Sequence, residues 1–361
     1  MKIAITGLAN SGKTTIFNAL TGMDLETTIY PTLLAEPHIG VVKVPDVRVD
    51  RLSEIYRPKK TTYATVEYVD HIGLTKGDMA QNRKVFDLVK DADAVVHVVR
   101  DFLDDTVVHP LGGVDPLRDA ETVELEMIFG DLELVEKRLE RMEEGAKKGK
   151  KPDEGEKRLL LKCKEILEGE KPLRDVAFQE EEWKAMRHLQ FMSIKPVVVV
   201  LNTDEKERDA ENTRAALAGL ETFFAGGQTR VLSLGGKIEM EIAQLPKEEA
   251  AAFLDDLGVS EPASNRLVRV SYDLLGLISF LTSGEDEVRA WTIRRGTEAQ
   301  RAAGKIHSDI ERGFIRAEVV SYDDFIGEGT MQAARENGVL RLEGKTYEVR
   351  DGDIINFRFN V

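Results

Sequence analysis

The segment Gly7–Thr14, with the sequence GLANSGKT, decides the fold class of this 361-residue chain. It follows the apolar run of residues 2–6 and leads into a helical pattern from Thr14 to Leu20, so it lies between a strand and a helix. In the pattern GxxxxGK(S/T) the glycines let backbone N–H groups curl around phosphates, and the lysine reaches the β- and γ-phosphates. The segment therefore predicts a phosphate-binding loop, or P-loop.

This loop predicts which residues meet a nucleoside triphosphate. The nucleotide-binding residues expected here are Asn10, Ser11, Gly12, Lys13, Thr14 and Thr15. Lys13 is also expected to act in catalysis by stabilising charge that develops on the phosphates. The Thr14 hydroxyl is expected to bind Mg²⁺.

Further short runs of apolar, β-branched residues recur at residues 65–69, 94–99, 197–201 and 230–234. Helical stretches separate several of them, which is typical of an α/β fold with a doubly wound, mostly parallel sheet. His97 lies inside one of these runs and is interpreted as a structural residue. The sequence therefore predicts a P-loop NTPase fold.

A second phosphate-site motif follows the run 65–69, in the sequence Asp70-His71-Ile72-Gly73. An aspartate at the end of a strand next to a P-loop is where the magnesium shell is held, so Asp70 is predicted as a metal-site residue. Gly73 is expected to place a backbone N–H near the γ-phosphate. Leu74 has no polar group, so it cannot orient an attacking water as a glutamine does there in many GTPases.

A base-recognition motif is expected after the run 197–201. Asn202-Thr203-Asp204-Glu205 has the spacing of the guanine-reading pattern Asn-Lys-x-Asp, but Thr203 lacks the lysine stem and Glu205 is one methylene longer than aspartate. Weak guanine selectivity is therefore expected, although this alone creates no preference for adenine. Gly236 and Lys237, after the run 230–234, are also predicted to bind the nucleotide.

Between the third and fourth sheet strands, the pattern changes to a coiled-coil seam. Apolar residues recur at alternating steps of three and four, namely Leu125, Ile128, Leu132, Val135, Leu139 and Met142. A polar, basic stretch at residues 145–152 interrupts the seam, and a second helical pattern returns with Leu160, Cys163 and Leu167. We therefore predict an antiparallel helical hairpin, whose tip is either a solvated turn or a contact for RNA phosphates.

From about residue 278 the chain shows short strand-like pieces at residues 288–293, 314–320 and 354–359. This pattern predicts a small β-rich third domain. The expected division is a nucleotide-binding domain of residues 1–112 plus 196–277, a helical coiled-coil insertion of residues 113–195, and a C-terminal domain of residues 278–361.

Composition limits the possible partners and the compartment. The net charge of −15 argues against broad binding to nucleic acid, so no DNA partner is expected and any RNA contact must be local. No run of eighteen apolar residues suggests a membrane partner. The single cysteine, Cys163, can form no internal disulfide and is interpreted as a packing residue. We expect a soluble, cytoplasmic protein.

The chain also resembles the YchF proteins, the Ola-type ATPases of the Obg branch of P-loop NTPases, over essentially its whole length. The resemblance is carried by residues 7–21, 41–46, 94–100 and 135–141, and most closely by the C-terminal stretches 287–293, 313–319 and 357–361. Those last stretches look like the family's TGS domain, a β-grasp-like module that is shared with other RNA-linked proteins.

The resemblance implies a nucleotidase that prefers ATP to GTP and associates with the ribosome or ribosomal RNA through the helical tip and the TGS domain. The family's base motif is represented here by Asn202, Thr203 and Glu205. Leu74 fits the family's replacement of the catalytic glutamine by a hydrophobic residue. His109, in Val107-Val108-His109-Pro110, matches the histidine that is taken to position water instead.

In two positions the chain departs from the family's first switch segment. Leu34 stands where the magnesium-binding threonine is expected, and Leu33 stands where the family has a cysteine. Slow turnover is therefore expected. Two alternatives to an ATP-preferring switch stay open at this point: a nucleotide sensor with negligible hydrolysis, and a GTP-preferring GTPase linked to translation.

Overall fold

The computed structural model describes residues 1–27, 37–71, 73–186, 188–204 and 210–360, which form two compact units. One unit comprises Met1–Val41 and Glu67–Leu267, and the other comprises Val42–Val66 and Val268–Val361. The predicted boundaries had assigned residues 42–66 to the nucleotide-binding domain, whereas here they group with the C-terminal part of the chain.

Strands and helices alternate along most of the chain. The strands are β1 Lys2–Thr6, β2 His38–Lys43, β3 Lys60–Thr62, β4 Thr65–Asp70, β5 Ala94–Asp101, β6 Val197–Thr203, β7 Thr229–Leu234, β8 Leu277–Thr282, β9 Glu287–Arg294, β10 Phe314–Ser321, β11 Arg341–Glu343 and β12 Asp353–Phe359. The helices are α1 Lys13–Thr21, α2 Val47–Tyr56, α3 Met79–Val89, α4 Pro116–Lys147, α5 Glu154–Glu168, α6 Glu180–Met186, α7 Ala210–Phe223, α8 Gly236–Gln244, α9 Lys247–Asp256, α10 Ala263–Leu274, α11 Ala299–Ile306, α12 Ser308–Arg312, α13 Tyr322–Glu328 and α14 Met331–Glu336. No helix among the described residues combines the length and apolar character that a bilayer crossing needs.

The first unit is built on a six-stranded sheet in the order β2-β4-β1-β5-β6-β7. β1 pairs in parallel with β4 and β5, and β6 pairs in parallel with β5 and β7. The central strand β5 is buried along its whole length, as expected for a parallel strand that is covered on both faces. The predicted doubly wound sheet is confirmed. Its strands end on a common edge, where the P-loop follows β1, Asp70 ends β4 and Asn202 lies next to the end of β6.

The predicted helical hairpin consists of α4 and α5. Ion pairs join Arg138 to Glu156 and Lys164 to Glu136, so positions rise on one helix as they fall on the other, which is the antiparallel arrangement. One apolar cluster contains Ile128, Leu132, Val135, Leu139 and Met142 of the seam together with Leu160, Cys163 and Leu167. Leu125 is half-buried and lies outside this cluster, because at this level α4 packs on the sheet through Val123 and Met127.

Helix α4 carries four buried carboxylates that the apolar seam did not predict, namely Asp119, Glu124, Glu126 and Asp131. Each of them has hydrogen-bond partners in a different neighbouring segment. Asp131, for example, accepts hydrogen bonds from the backbone N–H groups of Met192 and Ser193, at 2.8 and 2.7 Å. Burial raises the pKa of Asp131 to about 6 despite these bonds.

Glu124 forms a buried ion pair with Arg174, which lies in a 3₁₀ turn at Leu173–Asp175. The two side chains are 5% and 1% exposed, and Arg174 Nη1 also donates to the Ser193 carbonyl at 3.3 Å. Glu124 Oε2 and Arg174 Nε have no hydrogen-bond partner. Loss of one partner would therefore leave the other charge buried and uncompensated.

The second unit contains a six-stranded mixed sheet in the order β11-β10-β12-β8-β9-β3. β10 and β12 are antiparallel, as are β8 and β9, and helix α11 contributes Ala299, Ala302 and Ala303 to the core on one face. The edge strand β3 pairs in parallel with β9, which is why residues 42–66 group with this unit. The predicted strands at 288–293, 314–320 and 354–359 are present, whereas β3, β8 and β11 were missed. The TGS assignment remains a prediction.

We predict that Arg174→Met lowers the free energy of unfolding by about 3–5 kcal/mol, because it leaves Glu124 buried and unpaired. The double variant Glu124→Leu/Arg174→Met should recover most of that loss. Urea unfolding followed by the fluorescence of Trp183, in a Trp291→Phe background, reports on the first unit alone, because the chain has two tryptophans.

Arg138→Met is the control, because the Arg138–Glu156 pair is partly exposed and should contribute less than about 1 kcal/mol. A cost for Arg174→Met that is no larger than that of Arg138→Met would contradict the assigned role of the buried pair.

Candidate functional site

The P-loop has the backbone conformation that its glycines permit. Gly7, Asn10 and Gly12 all have positive φ, with values of 145°, 61° and 89°. A Cβ atom at Gly7 would overlap the Val98 carbonyl oxygen, and one at Gly12 would overlap the Asn202 side-chain amide. Both glycines are therefore required by close approach as well as by conformation.

Lys13, Thr14 and Asp70 meet at the start of α1. Lys13 is 7% exposed, and its Nζ donates to the Leu8 carbonyl at 2.8 Å. Thr14 Oγ1 donates to Asp70 Oδ2 at 2.8 Å, and Asp70 Oδ1 is buried without a hydrogen-bond partner. Magnesium prefers oxygen ligands, so a hydroxyl beside a carboxylate with a free oxygen fits this ion. No group of three or more His, Cys, Asp or Glu with metal-site geometry occurs among the described residues.

Burial shifts both ionisable groups of this cluster away from their charged forms. It lowers the pKa of Lys13 to about 8, although the neighbouring Asp70 carboxylate acts in the opposite direction. It also raises the pKa of Asp70, against the effects of Lys13 and of the hydrogen bond from Thr14. A phosphate next to Lys13 and a cation next to Asp70 would each stabilise the charged form.

Gly73 and Leu74 lie against the P-loop. The Leu74 N–H donates to the Gly7 carbonyl at 2.9 Å, and Leu74 forms an isolated parallel bridge with Leu8. A Cβ atom on Gly73 would lie 2.6 Å from Ala9 N and 2.7 Å from Lys13 Nζ. The Leu74 side chain is fully buried in the core of the first unit, so its role in this structure is packing.

The Asn202 side chain ties three segments together. Its Nδ2 donates to the Ser11 carbonyl at 3.1 Å, and its Oδ1 accepts the Gly236 N–H at 3.0 Å. Gly236 and Lys237 form the first turn of α8, where Lys237 is exposed. The structure therefore brings Asn202, Gly236 and the P-loop together.

Several other predicted positions are half-buried at the edge of the site or lie outside the described residues. Thr15 and Thr203 are half-buried, in the first turn of α1 and at the end of β6. Glu205 lies outside the described residues, as do Ile72 of the Asp70–Gly73 motif and the switch positions Leu33 and Leu34.

His109 has both ring nitrogens engaged. Its Nδ1 accepts the Leu111 N–H at 3.1 Å, so in the neutral ring the proton is on Nε2, which lies 2.7 Å from Asp119 Oδ2. The side chain is 7% exposed, and Arg118 pairs with the other oxygen of Asp119 at 2.7 Å. In this conformation the ring cannot bind water, although it lines a narrow cleft with the P-loop residue Ser11.

Arg100 and Asp119 line the same cleft, and the sequence did not predict either of them. Arg100 is buried at the end of β5 and donates to the carbonyls of Phe102 and Val107, at 3.1 and 3.0 Å. Asn10 of the P-loop donates to the Val108 carbonyl at 2.9 Å, so the His109 loop is attached on both sides. A charged residue inside an apolar strand was the available signal for Arg100, whereas Asp119 looked like an ordinary first-turn helix residue.

The strand, glycine loop and helix, with a lysine in the loop and an aspartate that contacts its threonine, define a P-loop nucleotide-binding protein. The chain is 44% identical to the ribosome-binding ATPase YchF of Bacillus subtilis, across 99% of this chain and 98% of that protein. The chain belongs to the YchF family.

Further comparisons agree with this assignment. The ribosome-binding ATPases YchF of Haemophilus influenzae and of Escherichia coli O157:H7 are 41% and 40% identical, each across 100% of this chain and 99% of the relative. The solved structure of the Schizosaccharomyces pombe YchF GTPase has a TM-score of 0.81 at 30% identity, covering 99% of this chain and 97% of that one.

Two family models match separate parts of the chain. The model YchF-GTPase_C, which is described as a protein of unknown function, matches residues 277–360. A second model, described as a 50S ribosome-binding GTPase, matches residues 2–129.

His97 lies beside this site in β5. Its neutral, buried state can be tested through the pH dependence of the free energy of unfolding. It is 1% exposed, its Nδ1 has no hydrogen-bond partner, and burial lowers its pKa to about 3, with smaller contributions from Arg174 and Lys13. The unfolded chain takes up a proton on this residue as the pH falls through about 6.5, whereas the native residue stays neutral. Its contribution to stability is therefore complete above about pH 6.5 and is lost as the pH falls.

We predict that between about pH 6 and pH 4 the free energy of unfolding decreases more steeply with falling pH in the wild type than in His97→Gln. The difference between the two slopes should reach up to about 1.4 kcal/mol per pH unit. Urea unfolding at several pH values measures both slopes, and the other titrating groups are common to the two proteins. Identical slopes would show that His97 does not stay neutral in the native state.

Proposed function

We propose that this protein is a Mg²⁺-dependent nucleoside triphosphatase that prefers ATP to GTP and acts as a ribosome-associated switch. The observation that carries the hydrolase part is the cluster of Lys13, Thr14, Asp70 and Gly73 around one P-loop. Buried Lys13 is held next to the position of Gly73, and Thr14 is bonded to an aspartate with a free carboxylate oxygen. This set provides charge stabilisation and cation binding at one place.

The residues of this cluster would have different roles in hydrolysis. The P-loop amides and Lys13 would bind the phosphates and stabilise the charge that develops on the γ-phosphate during attack by water. Gly73 would donate its N–H to the same phosphate. Thr14 and Asp70 would hold Mg²⁺, which when bound would neutralise phosphate charge.

His109 is the proposed residue that orients water. It has to leave its contacts with Asp119 and Leu111 before either ring nitrogen can bind a water molecule. The loop that carries it is attached to the P-loop through Asn10, so a change at the phosphates can reach His109. Leu74 is buried in the core and supplies no alternative group.

The preference for ATP rests on the base motif and on the relatives. Asn202 is fully engaged with Ser11 and Gly236, so in this conformation it supports the P-loop. The guanine-reading pattern has a lysine where this chain has Thr203. It has an aspartate where the sequence has Glu205. The bacterial relatives are named ATPases and the fission-yeast structure is named a GTPase, so both nucleotides need testing.

We predict that the wild type hydrolyses ATP faster than GTP, that Lys13→Ala abolishes turnover, and that His109→Ala lowers kcat by at least about 100-fold. Phosphate release with Mg²⁺ measures all three. His188→Ala is the matched control, because this histidine is 58% exposed and faces Glu156 of the hairpin. Equal rates for His109→Ala and His188→Ala would remove His109 from the reaction.

The engaged ring of His109 also favours a second function, in which the protein senses a nucleotide and scarcely hydrolyses it. The nucleotide would then act as a ligand that shifts the populations of two conformations. Single-turnover measurements decide between the two functions, since bound ATP that stays intact for hours supports the sensor.

Ribosome association is proposed from the names of the bacterial relatives and from the hairpin tip, where Lys147, Lys148, Lys150 and Lys151 are all exposed. We predict that changing all four to Glu lowers ribosome affinity at least about tenfold and reduces its salt dependence, because phosphate contacts release counterions. Cosedimentation at several salt concentrations measures both quantities.

The control changes four exposed lysines elsewhere in the same unit, Lys84, Lys90, Lys171 and Lys184, to Glu. It alters the net charge equally. If both variants lose affinity to the same extent, the tip is not a specific contact.

A further inference from the structure

One face of α4 presents three carboxylates at intervals of two helical turns, Asp119, Glu126 and Glu133. Asp119 contacts His109, as described above. Glu133 lies further along the helix and pairs with Arg83 of α3 and Lys137 of α4 at the surface. Glu126 lies between them and is 5% exposed.

Both oxygens of Glu126 bind the segment that follows the Asp70–Gly73 motif. Oε1 accepts the Gly77 N–H at 2.7 Å, and Oε2 accepts the Asn82 Nδ2 group at 2.7 Å. Asn82 is fully buried and forms two hydrogen bonds with the backbone of Thr75. It accepts the Thr75 N–H at 2.9 Å and donates to the Thr75 carbonyl at 2.8 Å. Glu126 therefore sets the position of residues 75–77.

The same segment continues into the phosphate site. Gln81 donates to the Gly73 carbonyl at 3.3 Å and to Thr75 Oγ1 at 3.0 Å. Gly73 in turn approaches Lys13 and the P-loop so closely that it has no room for a Cβ atom. A displacement of Thr75 would therefore change the position of Gly73 relative to the P-loop.

We propose that Glu126 is a positioning residue for hydrolysis of the γ-phosphate, acting through Asn82 and residues 75–77 on Gly73. The proposal rests on the proposed hydrolase function and concerns the regulation of that site. Because α4 continues from Glu126 to Lys147 as one helix, a load applied to the hairpin by a bound partner is transmitted to the Gly73 segment. The neighbouring contact of Asp119 with His109 lies on the same face, so one helix reaches both catalytic loops.

Glu126→Gln tests this proposal with little change of volume. Glutamine offers one acceptor and one N–H₂ group in place of two acceptors, so either Gly77 or Asn82 faces a donor. We expect kcat for ATP to fall at least about tenfold while the Kd for a non-hydrolysable ATP analogue stays within about threefold, because the P-loop is untouched. Phosphate release and calorimetry with Mg²⁺ measure the two quantities well below the unfolding temperature.

Glu133→Gln is the matched control, because it also neutralises a carboxylate that links α3 to α4, and Glu133 pairs with Arg83 and Lys137 outside the 73–77 segment. It should leave kcat unchanged. If Glu126 only holds the helices together, Glu126→Gln will lower the unfolding temperature with the same kcat as the control, and that result overturns the proposal.

A double-mutant cycle with Asn82→Ala provides a second test of whether Glu126 acts through Asn82. Residues that act on one segment should be non-additive, so Glu126→Gln/Asn82→Ala should lower kcat no further than the more damaging single variant. Additive losses in log kcat would contradict a shared path to Gly73.

Hydrogen exchange of the backbone amides distinguishes failure of this proposal from failure of the proposed function. If the wild type hydrolyses neither ATP nor GTP, the hydrolase function is wrong. The proposal then requires that the non-hydrolysable analogue slows exchange in both residues 73–78 and residues 119–126 of the wild type, and that Glu126→Gln removes the response of α4. A response of α4 that persists in Glu126→Gln would reject the coupling.

Discussion

The geometry of the P-loop depends on the close contact between Gly12 and the side-chain amide of Asn202. Gly12 has a φ of 89° and no space for a Cβ atom, while Asn202 donates to the Ser11 carbonyl and accepts from the N–H of Gly236. One amide thus fixes the P-loop relative to β6 and to the start of α8. These contacts hold the P-loop backbone in one conformation, which would lower the cost of ordering its N–H groups around a phosphate.

A second constraint comes from burying carboxylates along α4. Removing a charge from water is costly unless it is paired or accepts hydrogen bonds, and every one of these four side chains has such partners. The partners belong to the His109 loop, the Arg174 turn, the Gly77 loop and the segment at Met192. Helix α4 is consequently attached to several loops of the first unit by directional bonds, in addition to the apolar packing of Val123 and Met127 on the sheet.

This arrangement explains how one helix can contact the loops next to the P-loop and also form half of the hairpin. The amino-terminal half of α4 packs in the core of the sheet, and its carboxyl-terminal half forms the hairpin core with Leu160 and Cys163. Apolar contacts alone allow a helix to slide or rotate by small amounts. Hydrogen bonds to Gly77 and Asn82 do not, since their energy falls steeply with distance and angle. The polar contacts therefore give α4 a defined position relative to Gly73.

The sequence by itself determined the P-loop, the parallel sheet and the hairpin. Each of these rests on local patterns: glycines where φ is positive, β-branched runs in buried strands, and a three-four repeat on a helix. It also placed Lys13, Thr14, Asp70 and Asn202 near one another, because they stand at fixed distances from strand ends. The tertiary structure alone decided that β3, within residues 42–66, joins the C-terminal sheet, since this strand is three residues long and is stabilised by its pairing with β9. It also decided that His109 contacts Asp119 and that Glu126 holds the Gly77 loop, because these contacts join residues 10 and 49 positions apart and no local pattern encodes them.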